Sequence, residues 1–172
     1  MNPIIFLDID GPINSIKNQK YQRYLGRSTN SGMIKLPKKN FIALKHIIDN
    51  TNASVVISSN WRLGYVNSTP SKAYVNFCSQ AREYGIYPIG WTPAINKNKK
   101  GLEIKSWIDY YENLYNCKIS YIVIEDHIEN VIDLHKGHVI YTDSYTGLDM
   151  NVANIAIDVL KSIQYKDSLE FV

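Results

Sequence analysis

Four apolar residues, Ile4-Ile5-Phe6-Leu7, run straight into Asp8-Ile9-Asp10-Gly11, and this junction limits what the chain can fold into. The apolar run reads as a strand buried on both faces. Carboxylates cannot stay in such a strand, so the chain must leave the sheet at Asp8. In open parallel α/β sheets, ligands bind outside the carboxyl ends of the strands. Alternation along an extended chain puts Asp8 and Asp10 on one side, with Ile9 opposite. Gly11 allows a sharp turn and lets an anion approach the backbone. Two carboxylates so placed can share a hard cation, divide nucleophilic attack and proton transfer between them, or cap a turn. The junction alone leaves all three open.

The same arrangement recurs along the chain. Ala53–Ile57 is a second apolar run and stops at Ser58-Ser59-Asn60-Trp61-Arg62. Hydroxyls and free N–H groups there can hold a phosphate or cap a helix. Ser120–Ile124 is a third run and stops at Glu125-Asp126, followed by His127; a further strand, Gly137–Thr142, ends at Asp143. Helical patterns lie between these runs. One opens at Leu36-Pro37 with Phe41, Leu44, Ile47 and Ile48 inward; another covers Lys72 to Glu83 and ends at Gly85. A third covers Gly101 to Tyr115, with Leu102, Ile104, Trp107, Ile108, Tyr111 and Leu114 on its inner face. Ile128–Lys136 reads as a short helix or turn, and Asp149 caps a last helix through Ala153, Ile157, Leu160 and Ile163. Ile86–Ile89 reads as a short edge strand, since proline is tolerated there, and Gly90–Pro93 as a turn. Residues 14–36 read as a long polar loop or small insertion, made basic by Arg23, Arg27 and Lys35.

This alternation predicts an α/β fold with a mainly parallel sheet. The strand ends then share one edge, and Asp8, Asp10, Ser58, Ser59, Glu125, Asp126 and Asp143 crowd one rim. Acids so close repel each other unless a cation sits among them, and oxygen-only donors suit Mg2+. Lys97, Lys99 and Lys100 precede the helix at Gly101. The positive end of a helix dipole disfavours lysine unless it meets an anion, which singles out Lys100, next to the helix start.

At 172 residues and 45% hydrophobic, the chain can bury one proper core, and a single domain is expected over residues 1–172. The net charge of +3 fits an anionic ligand without demanding nucleic acid. Cys78 and Cys117 lie far apart and read as free thiols, which suits a reducing compartment, so a cytoplasmic location is expected. The N-terminal apolar run is short and ends in an acid, as neither a signal peptide nor a membrane span does.

The four motifs, in this order, resemble the haloacid dehalogenase (HAD) superfamily of phosphohydrolases. Asp8-Ile9-Asp10-Gly11 matches the family's Asp-x-Asp-Gly signature, and Ser59 followed by Asn60 its second motif, with Ser58 the alternative register. Lys100 matches its basic residue, and Glu125-Asp126 its acidic pair. Ser58–Arg62, Gly90–Pro93 and Thr146–Leu148 look like the small branch of RNA-repair-like proteins. The resemblance implies a three-layer Rossmann-like fold, here without a large cap, and a magnesium-dependent phosphatase working through an aspartyl-phosphate. Asp8 would be the nucleophile and Asp10 the acid and base. Ser59, Asn60 and Lys100 would bind phosphate, and Asp8, Asp10, Asp126 and Glu125 would surround the metal. The implied partner is a phosphorylated small molecule or a nucleic-acid end. Pro12 and Glu125 depart from the commoner Thr or Val and Asp of the family. Phosphoryl transfer to another acceptor is an alternative, as is a non-catalytic phospholigand-binding module, which would be marked by loss of Asp8 or Asp10. In receiver-type domains the phosphorylated Asp ends a middle strand, unlike Asp8.

Overall fold

The computed structural model describes residues 2–28, 33–63, 70–95 and 99–169. Among them five strands form one sheet: β1 (Ile4–Leu7), β2 (Ser54–Ile57), β3 (Gly90–Trp91), β4 (Tyr121–Glu125) and β5 (Val139–Tyr141). Their order is β3-β2-β1-β4-β5, and every neighbouring pair is parallel. The helices are α1 (Ile16–Tyr24), α2 (Lys38–Thr51), α3 (Lys72–Arg82), α4 (Lys100–Tyr115), α5 (Ile132–His135) and α6 (Met150–Leu169). This is the Rossmann-like α/β layout expected, with no large cap among the described residues.

The period of two along β1 sorts its side chains into two cores. Ile5 and Leu7 pack with Phe41, Leu44 and Ile47 of α2, Phe77 of α3 and Leu160 of α6. Ile4 and Phe6 pack with Ile104 and Ile108 of α4. Asp8 continues the even-numbered series and meets the first residue of α4. The chain passes from β1 to β2 and β3 on one side, then returns to β4 on the other. The order in which strands are added thus reverses between β1 and β4, where a crevice for ligands opens at the carboxyl ends.

Several local expectations are corrected. Residues 14–36 are not a bare loop, because α1 lies within them. Its N-cap Ser15 accepts from the Asn18 N–H, and polar rather than apolar contacts hold it: Asn18 donates to Lys35 O, and buried Gln22 accepts from Lys35 N. The edge strand is Gly90–Trp91, not Ile86–Ile89. Pro88 has no N–H to give, and contact with β2 begins only when Ile89 N donates to Val55 O at 2.9 Å. On α4, Leu102 and Leu114 are exposed and Glu103 is buried instead, because Glu103 pairs with Arg62. Asp143 leaves the rim to brace a turn, accepting from Tyr145 N, Thr146 N and Thr146 Oγ1. Lys97 lies outside the described residues. Asp149 caps α6 as expected, through Val152 N. Cys78 and Cys117 are half-buried and not joined in a disulfide, and no helix among the described residues is long and apolar enough to cross a membrane.

The turn after β1 is locked by the loop after β5. Pro12 O accepts from Leu148 N at 2.7 Å and from Asn40 Nδ2 at 2.8 Å. Gly147, at φ +75°, leaves room for this: a Cβ there would overlap the Asn40 amide and lie 2.7 Å from Pro12 O. Gly147→Ala is therefore expected to destabilise the fold by about 2 kcal/mol or more, through steric and backbone strain together. A denaturant midpoint giving a change below roughly 0.5 kcal/mol would contradict this packing.

Candidate active site

The crevice between β1 and β4 is part of a cavity of about 820 Å³ at the carboxyl ends of the strands. The register pairs Leu7 with Ile124, so Asp8 and Glu125 follow side by side at the strand ends. Lys100, at the start of α4, reaches between them: its Nζ is 2.9 Å from Asp8 Oδ2 and 2.6 Å from Glu125 Oε2. Asp8 Oδ1 accepts from the Ile9 N–H at 2.8 Å. Lys99 also lines the cavity, but Lys100 is the lysine that meets Asp8.

Asp10 is fixed from both sides. Its Oδ2 accepts from the Trp61 indole N–H at 2.8 Å, and its Oδ1 from Asn14 Nδ2 at 2.7 Å. Gln19 Nε2 also approaches Oδ1, at 3.5 Å. Ser59 is buried and lines the cavity, its hydroxyl accepting from Trp61 N. Asn60 lines the cavity from its exposed side. Ser58 is buried away from the cavity lining, with its hydroxyl unpartnered, so Ser59 is the hydroxyl facing the acids.

Asp126 packs on the turn. Gly11 has φ +84°, and a Cβ there would overlap the Asp126 carboxylate; a side chain at position 11 would push the acid out of place. Asp126 Oδ1 is buried without a hydrogen-bond partner. Oxygens of Asp8, Glu125 and Asp126 lie within 4.8 Å of one another. An orphaned buried oxygen within an all-oxygen donor set fits a hard divalent cation such as Mg2+. Both Glu125 oxygens are engaged, one by Lys100 and one by His127 N.

Burial, and then the crowding of like charges, sets the electrostatics of the site. Burial pushes the Glu125 carboxyl up to about 8, the Asp8 charge adds to the rise, and Lys100 opposes it. Burial raises Asp10 against its hydrogen bonds from Trp61 and Asn14. It raises Asp126 too, with His127 opposing and Asp8 adding. Burial works to lower Lys100, but the Asp8 and Glu125 charges outweigh it and leave it raised. The site can hold a dianion only with cations around it.

The sequence names Trp61 and Arg62 within the run that stops the second strand but assigns them no partner, and it gives no role to Asn14 or Glu103. Arg62 is fully buried and donates to Ser58 O, Ser59 O, Thr92 O and Glu103. It thereby ties the Ser59 turn to the first turn of α4. A tryptophan beside a candidate phosphate hydroxyl carries a signal of its own, since a buried indole N–H needs an acceptor.

A family model described as the HAD domain in Swiss Army Knife RNA repair proteins matches residues 4–153. The match covers all five strands and every residue of the site above. No curated protein and no solved structure matches the chain.

Trp61→Phe keeps the aromatic bulk and removes the hydrogen bond to Asp10. It is expected to lower kcat on a small aryl phosphate roughly tenfold with KM little changed, a fraction of what acid–base help supplies. An unchanged kcat would show that Asp10 needs no such support.

Proposed function

This chain belongs to the HAD-domain family found in Swiss Army Knife RNA repair proteins, and from that premise we propose that it hydrolyses a phosphomonoester through an aspartyl-phosphate. Membership supports HAD-type phosphohydrolase chemistry in general. The observation that carries the finer reading is Lys100 Nζ held 2.9 Å from Asp8 Oδ2 in a cavity that Asp10, Ser59 and Asp126 also line.

A carboxylate oxygen of Asp8 attacks phosphorus while the bond to the leaving oxygen breaks, and Asp10 gives that oxygen its proton. The raised Asp10 carboxyl suits a proton donor. Lys100 offsets charge on the transferring group, where a fixed donor in a dry site counts far more than one in water. Ser59 and the Asn60 side of the turn hold phosphoryl oxygens. Water then attacks phosphorus, Asp10 takes its proton, the Asp8–phosphorus bond breaks, and phosphate leaves with Asp8 restored.

Asp8, Asp126 and the Asp10 carbonyl would hold Mg2+, which supplies further neutralisation of phosphoryl charge when bound. Glu125, though an acid among the candidate ligands, serves in this scheme to anchor Lys100, since both its oxygens are taken. The relatives' role in RNA repair favours a phosphorylated nucleic-acid end as substrate.

Kinetics test the assignment. Asp8→Asn should abolish phosphate release from an aryl phosphate. Lys100→Ala should lower kcat on the order of 100-fold, the size seen when one stabilising donor is removed, and Lys99→Ala far less. Equal losses at the two lysines would contradict the role given to Lys100. Mg2+ should also raise the melting temperature of the wild-type chain, because a ligand that binds the folded state stabilises it. Asp126→Asn should lose most of that rise; a full rise in the variant would place the ion elsewhere.

A further inference from the structure

Charge is divided unevenly along this chain. Between Asp10 and Asp49 there are eight Lys and Arg and no Asp or Glu, so this stretch carries +8 while the rest of the chain is net −5. The stretch contains α1, which begins at the active-site rim. Ile16 and Gln19 line the catalytic cavity, and Gln19 Nε2 donates to Asn14 O at 2.8 Å. The helix spans nine residues, about 13 Å, and past Gln19 none of them lines the cavity. Gln22 is buried on its inner side, while Lys17, Lys20, Tyr21 and Tyr24 are exposed. These four fall at i, i+3, i+4 and i+7, which is one face of a helix, and exposed Arg23 lies beside Lys20 at the edge of that face. Tyr24 is 86% exposed, an unusual position for an aromatic ring with no internal role.

No carboxylate among the described residues pairs with Lys17, Lys20 or Arg23. Lys20 sits over the Tyr145 ring at 5.8 Å, a weak contact that leaves its charge unneutralised. Past the end of α1, Arg27, Lys35 and Lys38 line a second cavity of about 570 Å³, in which Glu83 is the one carboxylate among the described lining residues. Cations therefore continue from the phosphoryl site, along α1, to this second cavity.

Resting on the phosphatase reading above, we infer that the outer face of α1 is the track for a single-stranded polynucleotide whose phosphorylated end enters the catalytic cavity. Lys17, Lys20 and Arg23 meet successive backbone phosphates, and Tyr21 and Tyr24 offer faces for unpaired bases. Cations interleaved with exposed aromatic rings are what single strands require, because every base has a face to stack. A bilayer would also attract the lysines, but a lipid surface gains nothing from a strip that starts inside a cavity of carboxylates.

The test is fluorescence anisotropy of labelled single-stranded oligonucleotides, RNA and DNA, ending in phosphate. The Asp8→Asn chain is used so that no turnover occurs, over a range of salt. Removing three phosphate contacts in Lys17→Ala/Lys20→Ala/Arg23→Ala should reduce the slope of log affinity against log salt by about 2, at ~0.7 per contact. Tyr24→Ala should weaken binding roughly fivefold or more, the lower end of one stacked base. In the active chain, both variants should lower the ratio of kcat/KM on a phosphorylated oligonucleotide to that on an aryl phosphate. Unchanged affinity and salt slope in both variants would overturn the inference, as would binding to anionic vesicles with none to oligonucleotides. Failure of the phosphatase reading has a different readout: no phosphate release from any of these substrates, with the anisotropy result unaffected.

Discussion

The ammonium of Lys100 between Asp8 and Glu125 is the contact on which the site depends. Parallel pairing of β1 with β4 delivers two carboxylates to adjacent strand ends, 2.9 and 2.6 Å from one lysine. Both acids are buried, so neither can rely on water to spread its charge. Taking away one partner of such a group leaves an uncompensated buried charge, which costs about 3–5 kcal/mol. Lys100 is thus a structural requirement of the rim as well as the proposed stabiliser of the transferring phosphoryl group. Its position at the first turn of α4, unfavourable for a cation in isolation, makes sense only with those two acids in front of it.

A second layer keeps that contact in register with the rest of the rim. Arg62 donates to backbone oxygens at the ends of β2 and after β3 and pairs with Glu103 on α4. The Ser59 turn and the first turn of α4 are therefore tied through one guanidinium. Asp10 is tied to the same turn through Trp61. Gly11 and Gly147 act by having no side chain, letting the Asp126 carboxylate and the β5 loop close on the turn after β1. The acids, the hydroxyl and the lysine are held by the chain itself before any ligand arrives, which is the preorganisation that electrostatic catalysis needs.

Much of this was legible in the sequence where a local pattern carried it. The apolar runs at Ile4, Val55 and Ile122 are long enough to mark strands, and the polar residues that stop them mark the rim. Lys100 was separable from its neighbours because the helix start fixed its position. The features passed over depend on contacts between distant residues. Trp61 and Asp10 are 51 positions apart, and Arg62 and Glu103 are 41 apart; alone, each charge reads as surface. Helix α1 lacks an apolar stripe, so periodicity is silent about it. Strand β3 is two residues long, and its pairing is decided by β2 rather than by its own composition. Asp143 was placed on the rim by the rule that strands end there, whereas the Tyr145 and Thr146 N–H groups and the Thr146 hydroxyl claim it for a turn.

The central claim, that Asp8 takes the phosphoryl group, is tested most directly by trapping it. Turnover of a substrate labelled in its phosphate is stopped with acid, and the acyl phosphate is reduced with borohydride and located by peptide mass spectrometry. The account predicts the reduced residue at position 8, and its absence from Asp8→Asn. Phosphate released at the full rate with modification at Asp10, or at no carboxylate, would contradict it.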